Sequence, residues 1–417
     1  MISRKEFIYN TALSVLPISV LSASLVAKWS NPNQVESDEN YWEYIRTQYS
    51  LSSEIIYLNS GAVSPQPISV QKVHDQNLRV SNQGPSYYMW RILDQKRESL
   101  RERLAQISGC NIEELALVRN TTEGLDTVIA GLPLQAGDEV VLSVYDYPNM
   151  INAWKQRERR DGIKLVWVKL DLPEEKGDEI INKYATAITD KTKLVHITHV
   201  INWTGQVLPV KKIAEIAHAK GSEVMVDAAH SFAHIEFAIP DTGADYLSTS
   251  LHKWLCAPFG TGALFIRKEK IAKIWPAFSS PEPLSDNIRK FESLGTRSFA
   301  AEMAIAEAIN FHEAIGIKRK EHRVRFLKNY WYSKIAKFDK IKLYTPFNEQ
   351  LNCGLATFGV EGKDANEIDR FLFEKYKIHG SIVKREQLNA LRITPNVFTS
   401  LKELDLLVEG IKTFINT

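Results

Sequence analysis

Lys253 is the residue whose type and surroundings most clearly suggest chemistry. It ends a short polar strand-like run, and Asp227 ends an apolar strand-like run earlier in the chain. A lysine amine can form a Schiff base with an aldehyde, and a buried acid needs a positively charged partner such as a protonated ring nitrogen. The alternative for Lys253 is a position on the surface, where most lysines lie. With the glycine-rich turn at 258–262, the amine and the acid make this part of the chain a candidate active site, in which the amine could react with an aldehyde.

Further polar residues follow other strand-like runs, at the edge where open parallel sheets bind their ligands. Thr121 and Thr122 begin a helical stretch, and the free N–H groups of a helix start attract phosphate, although the same residues are also common helix caps. Tyr147 offers an aromatic face for stacking on a flat ring, and a half-buried loop tyrosine is the alternative. Asn202 can donate a hydrogen bond to a ring oxygen, and a turn-forming asparagine is the alternative. These residues predict where a planar ligand with a phosphate would lie.

The elements that must position these residues alternate between helix and strand from about residue 69 to about residue 274. The strands are short and apolar, which is typical of a mostly parallel sheet covered by helices on both faces. From about residue 284 the pattern becomes helix-rich and then returns to strands, which predicts a smaller second α/β unit. The runs that we interpret as strands of the large sheet lie at 115–118, 139–143, 164–168, 193–197 and 223–226.

Composition restricts the classes of partner. The chain has 417 residues, which leaves room for two domains. Its formal net charge is +2, so no electrostatic feature favours binding to nucleic acid. Its three cysteines, Cys110, Cys256 and Cys353, are too few for a disulfide framework. No metal ligands are predicted. The composition therefore favours an ordinary globular protein and does not indicate a nucleic-acid partner.

Residues 1–40 have the order of an export signal followed by a linker. A basic start that contains Arg4 and Lys5 precedes an apolar stretch of small residues at 11–27. The start resembles a twin-arginine signal in which lysine replaces the second arginine. An ordinary secretory signal and an uncleaved membrane anchor are the alternatives, but the apolar stretch is short and interrupted, so we expect no stable span after signal removal. The prediction is a soluble protein exported to the periplasm.

An ordered set of motifs connects these observations. The motifs are Tyr-Leu-Asn-Ser-Gly at 57–61, Asn-Thr-Thr-Glu-Gly at 120–124, Asp-Ala-Ala-His at 227–230, Ser-Leu-His-Lys at 250–253, Glu-Ser-Leu-Gly-Thr-Arg at 292–297 and Leu-Arg-Ile-Thr at 391–394. With them, residues 54–412 resemble the class V aminotransferases, fold-type I enzymes that use pyridoxal 5'-phosphate (PLP) and include cysteine desulfurases, kynureninase and isopenicillin-N-epimerase-like proteins. The resemblance implies an α/β fold with a large PLP-binding domain at 41–283, built on a mostly parallel seven-stranded sheet. A smaller C-terminal α/β domain would span 284–417, with the N-terminal segment contributing to it.

The resemblance assigns cofactor-binding roles within the large domain. Lys253 would form the Schiff base with PLP, and Asp227 would pair with the ring nitrogen. Tyr147 would stack on the ring, while Asn202 and His230 would contact its oxygen. The residues that would bind the phosphate are Thr121, Thr122, Ser250 and His252.

Two further roles follow from the same resemblance. Gly295 and Thr296 would contact the phosphate of a second subunit, which implies a homodimer with shared active sites. Arg392 would bind the α-carboxylate of the substrate, a task that suits the two-pronged guanidinium group, and Asn59 would lie in the same substrate site. A surface arginine on an edge strand is the alternative for Arg392.

Members of the family catalyse several reactions, and one difference in sequence argues against the desulfurase reaction. Desulfurases carry a nucleophilic cysteine shortly before the carboxylate-binding arginine, whereas residues 379–387 contain none. The leading interpretation is an epimerase-like enzyme for an amino acid or related amine, in which Lys253 removes the α-proton and Tyr147, His230 or a water returns one to the opposite face. An aminotransferase and a β-lyase are alternatives within the family. A non-catalytic exported protein that binds PLP or an amino acid is the alternative from another class.

Overall fold

The computed structural model of the protein describes residues 37–417, so nearly all of the predicted export signal and linker lies outside the described range. Within that range we number the strands in chain order. They are β1 (Ile56–Tyr57), β2 (Leu115–Val118), β3 (Glu139–Ser143), β4 (Lys164–Val168), β5 (Thr192–Thr198), β6 (Glu223–Asp227), β7 (Tyr246–Ser250), β8 (Gly262–Ile266), β9 (Ile341–Leu343), β10 (Ala356–Val360), β11 (Ile378–His379), β12 (Ser381–Arg385) and β13 (Leu388–Ile393).

The longer helices of the same range are numbered in the same way. They are α1 (Glu39–Thr47), α2 (Ile68–Asn82), α3 (Arg97–Ser108), α4 (Thr121–Gly131), α5 (Pro148–Asp161), α6 (Gly177–Ala187), α7 (Val210–Ala219), α8 (Phe299–Ile315), α9 (Ile317–Ile335), α10 (Ala365–Tyr376) and α11 (Leu401–Ile415). Short irregular helical turns join α2 to α3. Among residues 37–417, no helix has both the length and the apolar character needed to cross a membrane.

Strands β2 to β8 form a seven-stranded sheet in the order β2-β8-β7-β6-β5-β3-β4. Its neighbours from β7 to β4 are parallel, and β8 runs antiparallel to both β7 and β2. The predicted mostly parallel sheet is confirmed, and each of its five predicted strands lies within one residue of the observed ends. Sequence analysis interpreted 258–262 only as a glycine-rich turn and did not predict β8, which begins at Gly262. A Cβ atom at Gly262 would lie 2.7 Å from Asn120 Cα, so glycine is needed where β8 passes this close to the chain before α4.

Alternate residues of the central strands pack on opposite faces of this sheet. Val141 and Val195 belong to the apolar core on one face, and Val140 and Leu194 belong to the core on the other. All four side chains are buried. Because both faces are covered, the strands are apolar throughout and read in the sequence as continuous hydrophobic runs.

A second, antiparallel sheet has the order β12-β13-β10-β9 and shares a separate apolar core with α9, α10 and α11. Strand β1 pairs in parallel with β11, so the segment after α1 is joined to the C-terminal part of the chain. Helix α8 instead packs against α2 and α3, on the larger part. The division into 41–283 and 284–417 stays a prediction.

Candidate active site

A cavity of about 380 Å³ lies at the carboxyl ends of β5, β6 and β7. These strands are parallel, so their last residues lie side by side. Thr198 ends β5, Asp227 ends β6, and the two are register partners that both line the cavity. The predicted site residues that line it are Thr121, Thr122, Tyr147, Asn202, Asp227, His230, Ser250, His252, Lys253 and Arg392.

Lys253 and His230 are in direct contact, with Lys253 Nζ 3.0 Å from His230 Nε2. The neighbouring strands β7 and β6 bring them together, since Lys253 follows one and His230 follows the other. Burial lowers the pKa of Lys253 to about 8; the carboxylate of Asp227 opposes this shift, and the charge of Arg392 adds to it. Burial also lowers the pKa of His230 well below its ordinary value. The neutral imidazole can therefore accept a hydrogen bond from the amine.

Asp227 is a buried carboxyl group, 4% exposed, at the end of an apolar strand. Its Oδ1 accepts a hydrogen bond from the backbone N–H of Ala229 at 2.9 Å. Burial raises the pKa of Asp227, because the charged form is poorly solvated there. A carboxylate in such surroundings is stabilised by a cation, and a protonated ring nitrogen in the cavity would be a suitable one.

The start of α4 forms a polar wall of the cavity. The side chain of Asn120 caps the helix by accepting a hydrogen bond from the N–H of Glu123 at 2.9 Å. The N–H of Thr121 donates to Ser250 Oγ at 3.0 Å, and the two hydroxyl oxygens are 2.8 Å apart. Thr122 lines the cavity beside them. Hydroxyl groups at a helix N-terminus are well suited to bind a phosphate group.

The close approach of α4 to β7 depends on Gly124. A Cβ atom at this position would lie 2.2 Å from Ser248 Oγ, so a larger residue would push the helix start away from the sheet. On the other side of the wall, His252 Nδ1 lies 3.2 Å from the carbonyl oxygen of Thr261. Because a carbonyl oxygen only accepts, this contact places the proton on Nδ1 and leaves Nε2 as the acceptor unless the ring is charged.

Arg392, on β13, enters the cavity from the smaller sheet. Its Nη2 donates to Asn59 Oδ1 at 3.0 Å, and its Nη1 donates to the carbonyl oxygen of Asn202 at 2.9 Å. Burial lowers the pKa of Arg392 to about 10, so the group stays positively charged at neutral pH. Asn59 thus lies behind Arg392 and is not among the residues that line the cavity.

Several buried polar atoms around the cavity have no hydrogen-bond partner among residues 37–417. They are Asn202 Oδ1, His230 Nδ1 and Arg392 Nε. Buried polar groups are destabilising when unpaired, so these atoms indicate a polar ligand. A basic amine, a buried acid, a hydroxyl-lined helix start and these unpaired atoms in one cavity fit the aldehyde, ring nitrogen, phosphate and ring oxygen of PLP.

Two predicted residues lie elsewhere. Gly295 and Thr296 are in the segment before α8 and are not among the residues that line this cavity. Their prediction concerns the site of a second subunit, which a single chain does not test. The proposed contact with a partner's phosphate stays a prediction.

Some residues that line the cavity were not predicted from the sequence. Thr198 ends β5 as Asp227 ends β6, so the same strand-end rule could have found it. Trp203 and Ser381 carried no comparable signal. Ser381 reaches the cavity only because β12 pairs with β13, which sets it opposite Arg392.

Comparison with known proteins supplies independent information. A family profile described as "Aminotransferase class-V" matches residues 56–381. The isopenicillin N epimerase of Streptomyces clavuligerus is 28% identical over 389 residues, covering 89% of this chain and 97% of the relative. A probable cysteine desulfurase of Halalkalibacterium halodurans is 29% identical over 333 residues, covering 76% of this chain and 80% of the relative.

Solved structures agree on the architecture. The apo cysteine desulfurase of Thermococcus onnurineus NA1 superposes with a TM-score of 0.80 at 24% identity, covering 90% of this chain and 98% of that one. A structure of C-DES with glycine linked to its PLP cofactor gives a TM-score of 0.80 at 19% identity, covering 87% and 98%. The seven-stranded mixed sheet with a smaller C-terminal sheet is therefore the fold-type I architecture, as predicted.

Proposed function

Because the chain belongs to the class-V aminotransferase family, whose cofactor is PLP, we propose that it is a PLP-dependent epimerase of an amino acid or related amine. The observation that carries the proposal is that Lys253 and Arg392 line one cavity to which none of the chain's three cysteines contributes. A base and a carboxylate site are what inversion at an α-carbon needs. The epimerases among the relatives, matched over nearly their whole length, support the same choice.

Each residue has a defined task in this proposal. Bound PLP supplies an electron sink that makes the α-proton of an attached amino acid acidic. Lys253 Nζ accepts that proton, and its lowered pKa leaves part of the amine unprotonated near neutral pH. Asp227 keeps the ring nitrogen protonated. Arg392 binds the α-carboxylate and so orients the α-carbon towards the amine.

Inversion also needs a proton from the opposite face, and we assign this to Tyr147. His230 is in contact with Lys253 and therefore belongs to the same side of the reacting carbon. Tyr147 comes from a different segment, immediately before α5, and is among the residues that line the cavity. A phenol hydroxyl can donate and accept a proton, which inversion in both directions requires.

The chain's cysteines argue against the desulfurase reaction named for other relatives. Cys256 and Cys353 are buried, Cys110 is half-buried, and none of them lines the cavity. Burial raises the pKa of Cys353 to about 11 and that of Cys110 to about 12. Since the thiolate is the nucleophile in persulfide chemistry, neither of these thiols is suited to it.

The test is a panel of single-enantiomer amino acids and short peptides incubated with the PLP-loaded protein and analysed by chiral chromatography. The proposal expects the opposite configuration at the α-carbon of one compound. Loss of the amino group with formation of a keto acid would indicate an aminotransferase, and release of sulfide from cysteine would indicate a desulfurase or lyase. Either result without inversion would contradict the proposal.

Tyr147→Phe tests the assignment of the second proton. It should lose inversion by roughly a hundredfold or more while still exchanging the α-proton with solvent, because Lys253 remains in place. Equal loss of exchange and inversion would mean that Tyr147 acts on the first step, by holding the ring rather than moving a proton.

Homodimer formation and export are part of the proposal. Light scattering of the purified protein should give twice the chain mass, since Gly295 and Thr296 are assigned to a partner's site. N-terminal sequencing of protein from the periplasm should begin downstream of the apolar stretch at 11–27. An intact Met1 in the membrane fraction would contradict signal cleavage.

A further inference from the structure

The orientation of the Asn59 amide is determined by Arg392. A guanidinium group only donates hydrogen bonds, so the atom of Asn59 that faces Arg392 Nη2 at 3.0 Å must be the oxygen, Oδ1. The amide nitrogen, Nδ2, then points to the other side. Asn59 itself is held in place by its parallel pairing with Thr394.

On that other side lies His379, whose Nε2 is 3.3 Å from Asn59 Nδ2. An amide nitrogen only donates, so Nε2 must be the acceptor. His379 is therefore neutral in this arrangement and carries its proton on Nδ1. A chain of contacts thus runs from His379 through Asn59 to Arg392.

Neighbouring elements fix the ring of His379. It stacks on Tyr57 with ring centroids 5.7 Å apart and planes 28° from parallel, and the pairing of β1 with β11 sets these residues opposite each other. The carboxylate of Asp369 on α10 also interacts electrostatically with His379. Arg392 lies at the other end of the chain of contacts.

We propose that His379 is a positioning residue for the substrate's carboxylate, which it controls through the orientation of the Asn59 amide. A proton on Nε2 would set two donors against each other. Rotation of the amide would relieve that contact but would turn Nδ2 towards Arg392, which also only donates. The carboxylate site is therefore complete with a neutral His379 and weakened with a protonated one. This inference rests on the proposed role of Arg392 in binding the carboxylate.

The experiment compares two amines that differ only in the carboxylate, glycine and methylamine. Each is titrated into the PLP-loaded protein, and the change in visible absorbance gives a dissociation constant. Glycine has no configuration to invert, so the titration is independent of whether the enzyme is an epimerase.

Two substitutions of His379 separate the effect of its hydrogen-bond acceptor from the effect of its side-chain size. His379→Phe keeps a ring beside Tyr57 but lacks the acceptor, and it should weaken glycine binding about tenfold while leaving methylamine unchanged. His379→Gln offers a carbonyl oxygen that cannot be protonated, and it should restore the affinity for glycine. His322→Phe, at an exposed position on α9, is the matched control and should bind both amines as the original protein does.

Three results would overturn the inference. They are unchanged glycine binding in His379→Phe, equal weakening of both amines in that variant, and a glutamine variant no better than the phenylalanine one. Arg392→Ala gives the remaining distinction. If it keeps the preference for glycine over methylamine, the carboxylate assignment itself is wrong and the inference fails with it, whatever the reaction proves to be.

Discussion

The two sides of the cavity are built in different ways. On the ring side, Asp227 ends β6 and Lys253 comes shortly after β7. Backbone hydrogen bonds of the large sheet fix the positions of these two neighbouring strands. On the carboxylate side, the guanidinium group of Arg392 is held by the Asn59 side chain and the Asn202 carbonyl oxygen, and Asn59 in turn contacts His379. These residues come from segments far apart in the chain. Substitutions on the ring side should therefore change the chemistry and leave the geometry intact. Substitutions on the carboxylate side should change binding by moving a neighbour.

The largest effect is expected from the replacement of Lys253, on the ring side. Lys253→Ala should reduce turnover by about a thousandfold or more and abolish the adduct that borohydride reduces, because no other amine takes its place. The thermal midpoint should change little, since β7 and its hydrogen bonds are intact. A variant with normal turnover would show that the ring side has been assigned wrongly.

Asp227→Asn tests whether the ring side acts through its charge. The neutral amide still fits the end of β6, so PLP should bind and colour the protein. Turnover should fall by roughly a hundredfold, because an amide does not stabilise a protonated ring nitrogen. Steady-state kinetics measure turnover, and the absorbance spectrum measures PLP binding. Unchanged kinetics would mean that another group keeps the ring nitrogen protonated.

Arg392→Lys tests the carboxylate side. Lysine keeps the charge but cannot donate both to Asn59 and to the carbonyl oxygen of Asn202 while binding a carboxylate in two-pronged fashion. The KM for a substrate with an α-carboxylate should rise roughly tenfold to a hundredfold, with a smaller change in kcat. A fall in kcat at constant KM would instead mean that this side takes part in the chemical step.

The smallest expected effect is a shift in pH dependence. The pKa of Lys253 is lowered to about 8 by burial, so the rate at which the apo-protein recombines with PLP should rise with pH and reach half its limit near that value. The carboxylate of Asp227 acts in the opposite direction and raises this pKa. Asp227→Asn should therefore move the midpoint to lower pH, and a shift to higher pH would contradict the electrostatic account.

The same difference between the two sides explains what the sequence could predict. Strand ends can be located from short apolar runs, so Asp227 and Thr121 were predicted together with the strands that they end or follow. Lys253 was predicted from the short polar run that it ends. The partners of Arg392 depend on the register of β12 with β13 and on the pairing of β1 with β11, which no local pattern reveals. His379 was accordingly read only as part of a segment that lacks a cysteine. The assignment of Gly295 and Thr296 concerns a site on a second chain, whose position no local sequence pattern reveals.

The measurement that tests the central claim most directly is proton NMR of amino acids and short peptides in D₂O with the PLP-loaded protein and, in parallel, with Lys253→Ala. The account predicts that one compound loses its α-proton signal with the original protein and keeps it with the variant, and that the deuterated product contains both configurations. An α-proton that is lost equally in the presence of Lys253→Ala would show that Lys253 is not the base. A protein with the cofactor's colour that exchanges no α-proton across the panel would contradict epimerisation of these compounds and favour a binding protein.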